Sequence, residues 1–173
     1  MKRGGEIKRK TRLRAKTGLK SKPLKAKRKK KRRRNRPKSR DDWNLYEWKS
    51  HCDDLAALAV KSRDNWTCRI CGKTRHEAQM HWAHIMPRGH LYFRHHLDNA
   101  ICLCAHCHNF DKDLSCHATP LAFAAWFERE CPELFAIYDK RKNEIHKNPK
   151  IADYREIAER LETYIAANRI ERE

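Results

Sequence analysis

Two Cys-x-x-Cys pairs, Cys68/Cys71 and Cys104/Cys107, enclose a stretch containing His81, His84 and Asn99, and His108 directly follows the second pair. Thiolates two residues apart reach one ion from a single tight turn, and two such pairs complete the tetrahedron that zinc prefers. The 32 residues between Cys71 and Cys104 exceed ordinary zinc-ribbon spacing, so a sizeable insertion separates the halves of the clamp. A histidine, an asparagine and a second histidine around a metal clamp are the set a metal-dependent phosphodiesterase needs. Such hydrolysis requires a deprotonated water in line with the leaving oxygen, and positive charge on the phosphate and the departing alkoxide. An imidazole, with an ordinary pKa of about 6.5, suits that proton transfer, and His84 is the candidate base.

The plainer reading of the same cysteines is four unrelated buried thiols. Cys52, Cys102, Cys116 and Cys131 have no paired spacing and read as ordinary core or surface thiols, with Cys102 the nearest competitor of Cys104 for the metal. His117 and His146 carry no spacing signal and read as structural.

The elements that must position these groups are visible in the periodicity. Asp41-Asp42 can cap a helix whose apolar residues Leu45, Trp48, Cys52, Leu55 and Ala59 step by three and four, ending near Arg63. Asp64-Asn65 turns into a knuckle at Cys68–Gly72, and a strand is expected over 79–84. Pro87 and Gly89 punctuate a loop to Asn99, from which a second strand or turn begins at Ala100 and a helix near Cys107. Thr119-Pro120 is a strong helix start and Pro132 another, while Tyr154, Ile157, Ala158, Leu161, Tyr164 and Ile165 make a helical stripe. Phe123, Trp126, Phe127, Leu134, Phe135 and Tyr138 fall at core spacing rather than forming a base-stacking surface. The final helix is wide enough in its apolar stripe to pack on the body, on a partner or on a second copy.

Cys68-x-x-Cys71, then Ala83-His84-Ile85-x-Pro87, then Asn99-x4-Cys104-x-x-Cys107-His108 resembles the zinc-containing HNH endonucleases, over about residues 62–113. The basic arm and the His81-x-x-His84 arrangement further resemble phage recombination nucleases of the NinG (Rap) type. The resemblance implies an α+β fold, a small zinc-stapled ββα-metal core with flanking helices, and a DNA endonuclease activity leaving 5′-phosphate and 3′-hydroxyl ends. It assigns Asn99 to fixing the loop that bears the base or to the metal shell, and His108 to a divalent cation. That cation is expected to be Mg²⁺, although an imidazole ligand also accommodates Mn²⁺, Ni²⁺ or Zn²⁺. Many members of the family carry a metal ligand immediately before the base, where this chain has Ala83. His81 is the substitute, but three residues along a straight strand face opposite ways, so a bulge or a strand ending before His84 is expected. Asp98 and Asp111 are fallback ligands, although an Asp beside a helix or turn is more often a cap.

Charge divides the chain. Residues 1–40 carry 22 Lys and Arg against the single acid Glu6, and the remaining 133 residues hold 19 bases and 21 acids. The arm has no aromatic residue and too little apolar surface to offset ordering, so it is expected to be disordered when free and to bind a polyphosphate. Its densest block includes Lys29, Lys30, Arg32, Arg33 and Arg34. Arg88 and Arg94, with His95 and His96, are candidates for backbone phosphates or else solvated loop charges. The expected organisation is an arm over 1–40, a leading helix over 41–63, a nuclease core over 64–115 and a helical extension over 116–173.

DNA is the expected partner, with branched or nicked forms among its substrates, and the arm would also bind RNA. Closely spaced cysteines without an apolar leader, and no apolar run longer than Leu55–Val60, predict a soluble protein of a reducing, intracellular compartment with no membrane association. A bacterial or phage-infected cell fits the resemblance, although the basic block also suits a nuclear import signal. The rival readings are a zinc module that binds nucleic acid without cutting it, and an RNA- or ribosome-associated protein. Fold alone does not establish activity.

Overall fold

Local capping and helical periodicity set the first element. In the computed structural model, which describes residues 38–168 and 170, helix α1 spans Leu45–Arg63. Its cap is Asn44, not the Asp41-Asp42 pair, which lies in a short 3-10 turn at Arg40–Asp42. The Asn44 side chain accepts from the backbone N–H groups of Tyr46 and Glu47 at 2.9 and 3.0 Å, and Glu47 accepts from the Asn44 N–H at 2.8 Å. This reciprocal box satisfies three otherwise orphaned donors, which a pair of aspartates further upstream cannot reach.

The described residues form a mixed α+β unit with a two-stranded antiparallel sheet and five helices. Strand β1 is Met80–His84 and β2 is Ala100–Cys104, followed at once by α2, Ala105–Asn109. Helices α3, α4 and α5 span Pro120–Glu130, Pro132–Arg141 and Ile151–Ala167. Thr119 precedes Pro120 as expected but does not cap α3 through its side chain; its hydroxyl instead accepts from the Ser115 N–H at 2.7 Å.

Two apolar clusters hold these elements. On one, Trp48, Cys52, Leu55 and Ala59 of α1 meet Tyr154, Ala158, Leu161 and Ile165 of α5. Full burial of a side chain such as Leu55 or Leu161 contributes about 2 kcal/mol relative to exposure. On the other, Phe123, Trp126 and Phe127 of α3 pack against the sheet and the cysteines at 68, 104 and 107. The aromatic residues of α3 are therefore core, over the sheet rather than over α1, which α5 covers.

The end of α1 anchors β2. Arg63 donates to the Leu97 and Ala100 carbonyls at 2.7 and 2.9 Å, and Asp64 accepts from the Cys102 N–H at 2.7 Å. The reversal that follows places Asn65 and Trp66 at φ near +50°, a region costly for side chains other than glycine. Backbone bonds from Trp66 to the Lys61 carbonyl and from Asn65 to Ser62, at 2.7 and 2.9 Å, hold it there.

Candidate active site

The first knuckle turns at Gly72, whose φ of +73° suits a residue without a Cβ. The Gly72 N–H donates to the Cys68 carbonyl at 2.9 Å and the Cys68 N–H to the Lys73 carbonyl at 2.8 Å, closing the loop under the thiols. Arg69 ties this knuckle to β2 through the Cys102 carbonyl at 3.0 Å. The second pair straddles the β2–α2 junction, where the Cys107 N–H donates to Cys104 Sγ at 3.4 Å.

The four sulfurs of Cys68, Cys71, Cys104 and Cys107 all lie within 4.8 Å of one another, with Cys71 and Cys104 3.7 Å apart. Four thiolates at zinc–sulfur bonds of about 2.3 Å would sit about 3.8 Å apart, so the donor set fits a tetrahedral zinc ion. Burial pushes the Cys68 and Cys107 thiols up, whereas at Cys104 the Cys107 N–H and neighbouring thiols overcome burial and hold the thiol below its ordinary range. Cys102, the competitor expected from sequence, stands outside this cluster, fully buried and pushed up to about 12 by desolvation.

His84 is the last residue of β1. Its Nε2 lies 3.2 Å from the Arg94 carbonyl oxygen, and because a carbonyl only accepts, Nε2 carries the proton and Nδ1 the lone pair. Burial is the largest cause that pushes its pKa down to about 4, aided by the Arg88 and Arg94 charges. The ring is therefore neutral at neutral pH.

Asn99 is buried and holds the intervening loop at both ends. Its Oδ1 accepts from the Met86 N–H at 2.8 Å, and its Nδ2 donates to the Phe93 and Met86 carbonyls at 3.1 and 3.4 Å. Between these points the chain winds through successive turns, with N–H groups of His90, Phe93, His96 and Asn99 each donating to the carbonyl three residues earlier.

Asp53 of α1 was not singled out by any sequence signal, yet it organises this loop. Its carboxylate accepts from Arg94 Nε and Nη2 at 2.7 and 2.6 Å, from His95 Nε2 at 2.7 Å and from Arg88 Nη2 at 3.1 Å. Burial alone would raise its pKa, but the hydrogen bonds from Arg94 and His95 reverse this and hold it far below the usual carboxylate range. His95 is fully buried and its Nδ1 has no partner, which fits a neutral ring with the proton on Nε2. Burial likewise lowers its pKa. Arg94 is thus committed to Asp53 and to the Arg88 carbonyl, while Arg88 itself is exposed and spans from Asp53 to the face of Trp82.

His81 and His108 meet directly, with Nδ1 atoms 3.0 Å apart and rings nearly perpendicular. They do so without the expected bulge: the register runs unbroken from Met80↔Cys104 to His84↔Ala100. Nor does the strand end before His84, so the period-two alternation stands: His81 meets His108, while His84 shares the other face with Trp82, ring centroids 4.1 Å apart. Two nitrogens 3.0 Å apart on metal bonds of about 2.1 Å would subtend about 90°, as adjacent ligands of an octahedral ion do. Burial pushes His108 down to about 4, with the His117 and His81 charges adding to it, and lowers His81 as well. Both shifts favour the neutral imidazole, the form that ligates a metal.

His84 and His108 line one cleft of about 570 Å³, with Arg88 at its edge and Trp82, Phe123 and Tyr138 among its walls. The fallback acids are engaged elsewhere: Asp98 pairs with Arg141 at 2.8 Å, and Asp111 accepts from the N–H groups of Asp113 and Leu114. His96 is half-buried beside Asp98. Lys29, Lys30, Arg32, Arg33 and Arg34, and the expected disorder of the arm, lie outside the described residues. Lys38 and Arg40, from the end of the basic stretch, pair with Glu47 and Glu162, both at 2.8 Å. Among the described residues, no helix is long and apolar enough to cross a membrane.

No family model, curated protein or solved structure matches the chain.

Proposed function

We propose that this protein is a metal-dependent DNA endonuclease of the HNH, ββα-metal kind, with His84 as general base. The observation that carries the reading is the cleft shared by His84, a neutral imidazole with a fixed tautomer, and His108, which His81 meets at 3.0 Å. His81 and His108 would hold the divalent ion, which when bound supplies positive charge to the phosphate and lowers the pKa of nearby water. Cys68, Cys71, Cys104 and Cys107 would hold structural zinc.

The remaining work belongs to the chain's own side chains. His84 Nδ1 takes the proton of the attacking water, while the Arg94 carbonyl keeps Nε2 protonated and the ring in place. Asn99 fixes the loop that supplies that carbonyl. The water oxygen bonds to phosphorus as the bond to O3′ breaks, leaving a 5′-phosphate and, after proton uptake, a 3′-hydroxyl. Arg88, exposed at the rim, is the residue available to a backbone phosphate. Arg94 acts by positioning rather than by touching DNA.

The arm supplies affinity that is strong and poorly selective, through counterion release. A bacterial or phage setting and a role in recombination are parts of the same reading. Supercoiled plasmid incubated with wild-type protein and Mg²⁺, Mn²⁺ or Ni²⁺ should give nicks whose ends are ligatable without end repair. DNA that is bound but never cut under any of these ions would favour the non-catalytic zinc module instead.

A further inference from the structure

The segment after α2 brings two further metal-binding side chains to His108. The N–H groups of Cys116 and His117 donate to the Cys107 and His108 carbonyls at 3.2 and 3.1 Å, laying the segment along the helix end. Ser115, fully buried, locks it: its Oγ donates to the His108 carbonyl at 3.2 Å and accepts from the His117 and Ala118 N–H groups at 3.3 and 3.2 Å. Thr119 Oγ1 closes the turn by accepting from the Ser115 N–H at 2.7 Å. As a result the His108 and His117 rings are 4.7 Å apart, and one ligand atom from each of His108, Cys116 and His117 lies within 4.8 Å of the others.

We infer that Cys116 and His117 join His108 as ligands of the divalent ion, in the place the reading above gives to His81, so that the site takes a transition-metal ion of the zinc, cobalt or nickel kind rather than magnesium. The inference rests on the reading that His108 holds that ion. Magnesium binds oxygen ligands in a near-ideal octahedron, whereas a thiolate with two imidazoles is a soft to borderline donor set. Three protein ligands also leave a coordination position open, the pattern that separates catalytic zinc sites from closed structural ones. The thiol differs in kind from Cys52, Cys102 and Cys131, which are buried and belong to none of the candidate ligand groups among the described residues. Cys116 is only half-buried and lines the cleft that holds His84.

The test uses the full chain loaded with one equivalent of zinc, which the four-cysteine cluster takes first, and then titrated with Co²⁺. In the wild type the second ion should produce a thiolate-to-cobalt charge-transfer absorption in the near ultraviolet. Cys116→Ser should bind that ion at least about tenfold more weakly and lose the charge-transfer increment. His117→Ala, at an exposed position that leaves the fold intact, should weaken binding to a similar degree while keeping the increment. A second ion bound with the same spectrum and affinity in both variants, or a charge transfer that persists in Cys116→Ser, would overturn the inference. Plasmid nicking by the same samples separates it from the nuclease reading. Loss of all nicking with the Cys116-dependent spectrum intact supports the ligand set and defeats the nuclease. Nicking with an unaltered spectrum in both variants does the reverse.

Discussion

The carboxylate of Asp53 holds the guanidinium of Arg94 at 2.6 and 2.7 Å, and the carbonyl of that same arginine accepts from His84 at 3.2 Å. A residue of α1 thereby anchors the side chain of the residue whose carbonyl fixes the tautomer of the proposed base. Replacing Asp53 with Asn leaves a mostly buried guanidinium without its counter-charge, which costs about 3 kcal/mol. Urea denaturation should show that loss. Nicking should fall in kcat with little change in DNA affinity, and an unchanged kcat would separate Asp53 from the chemistry.

Zinc held by the four-cysteine cluster would make folding depend on metal. The core on that side includes Cys68, Cys104 and Cys107 together with α3, so removing a bound ion would leave clustered buried thiols in place of metal bonds. Chelation, or Cys104→Ser, should lower the melting temperature and release one zinc per chain by elemental analysis. A chain that melts identically with and without chelator would exclude a structural metal here.

Stability should also fall as pH drops below neutrality. His84 has a folded pKa of about 4 against an ordinary value of about 6.5, so between these the unfolded chain binds more protons and acid favours unfolding. His95 is shifted in the same direction by burial. Above about pH 6.5 both rings are neutral in either state and their contribution is flat. Urea midpoints at pH 7 and pH 5 should therefore differ less in His84→Gln than in the wild type. Equal differences would mean that the ring is not desolvated as its surroundings imply.

The basic arm predicts a steep salt dependence. If about seven phosphates are neutralised, log K should fall against log salt with a slope of roughly −6. Removal of residues 1–37 should flatten that slope and weaken retention alike for any DNA sequence. RNA competing clearly better than duplex DNA at fixed salt would favour the RNA-associated reading.

What the sequence made legible follows from the range of the forces involved. Paired cysteines, apolar periodicity and helix-start signals are local, and the α+β class, β1, α1 and α5, and the starts of α3 and α4 at Pro120 and Pro132 follow from them, whereas the sequence from Ala100 onward leaves strand and turn open and the structure has a strand there. The cap of α1 is also local: Asn44-x-x-Glu47 carries the box, while the adjacent Asp41-Asp42 pair has the residue type of a cap but lies too far upstream. Asp53 was not legible, because its partners Arg94 and His95 lie 41 and 42 residues away and only the α1 packing brings them together. Cys116 and His117 showed no ligand spacing because their approach to His108 is made by backbone bonds and by the buried Ser115 hydroxyl. Neither the bulge nor the earlier strand end expected for His81 to join His84 is present, because the register runs unbroken to His84↔Ala100.

The most direct measurement is nicking of supercoiled plasmid by the wild type and His84→Ala, with DNA retention and zinc content followed on the same preparations. The wild type should nick in a divalent ion, and His84→Ala should be slower by about 10²–10⁴-fold at unchanged retention. Equal nicking by both proteins, or no nicking by either in Mg²⁺, Mn²⁺, Co²⁺, Ni²⁺ or Zn²⁺, would contradict the assignment of His84 as the base.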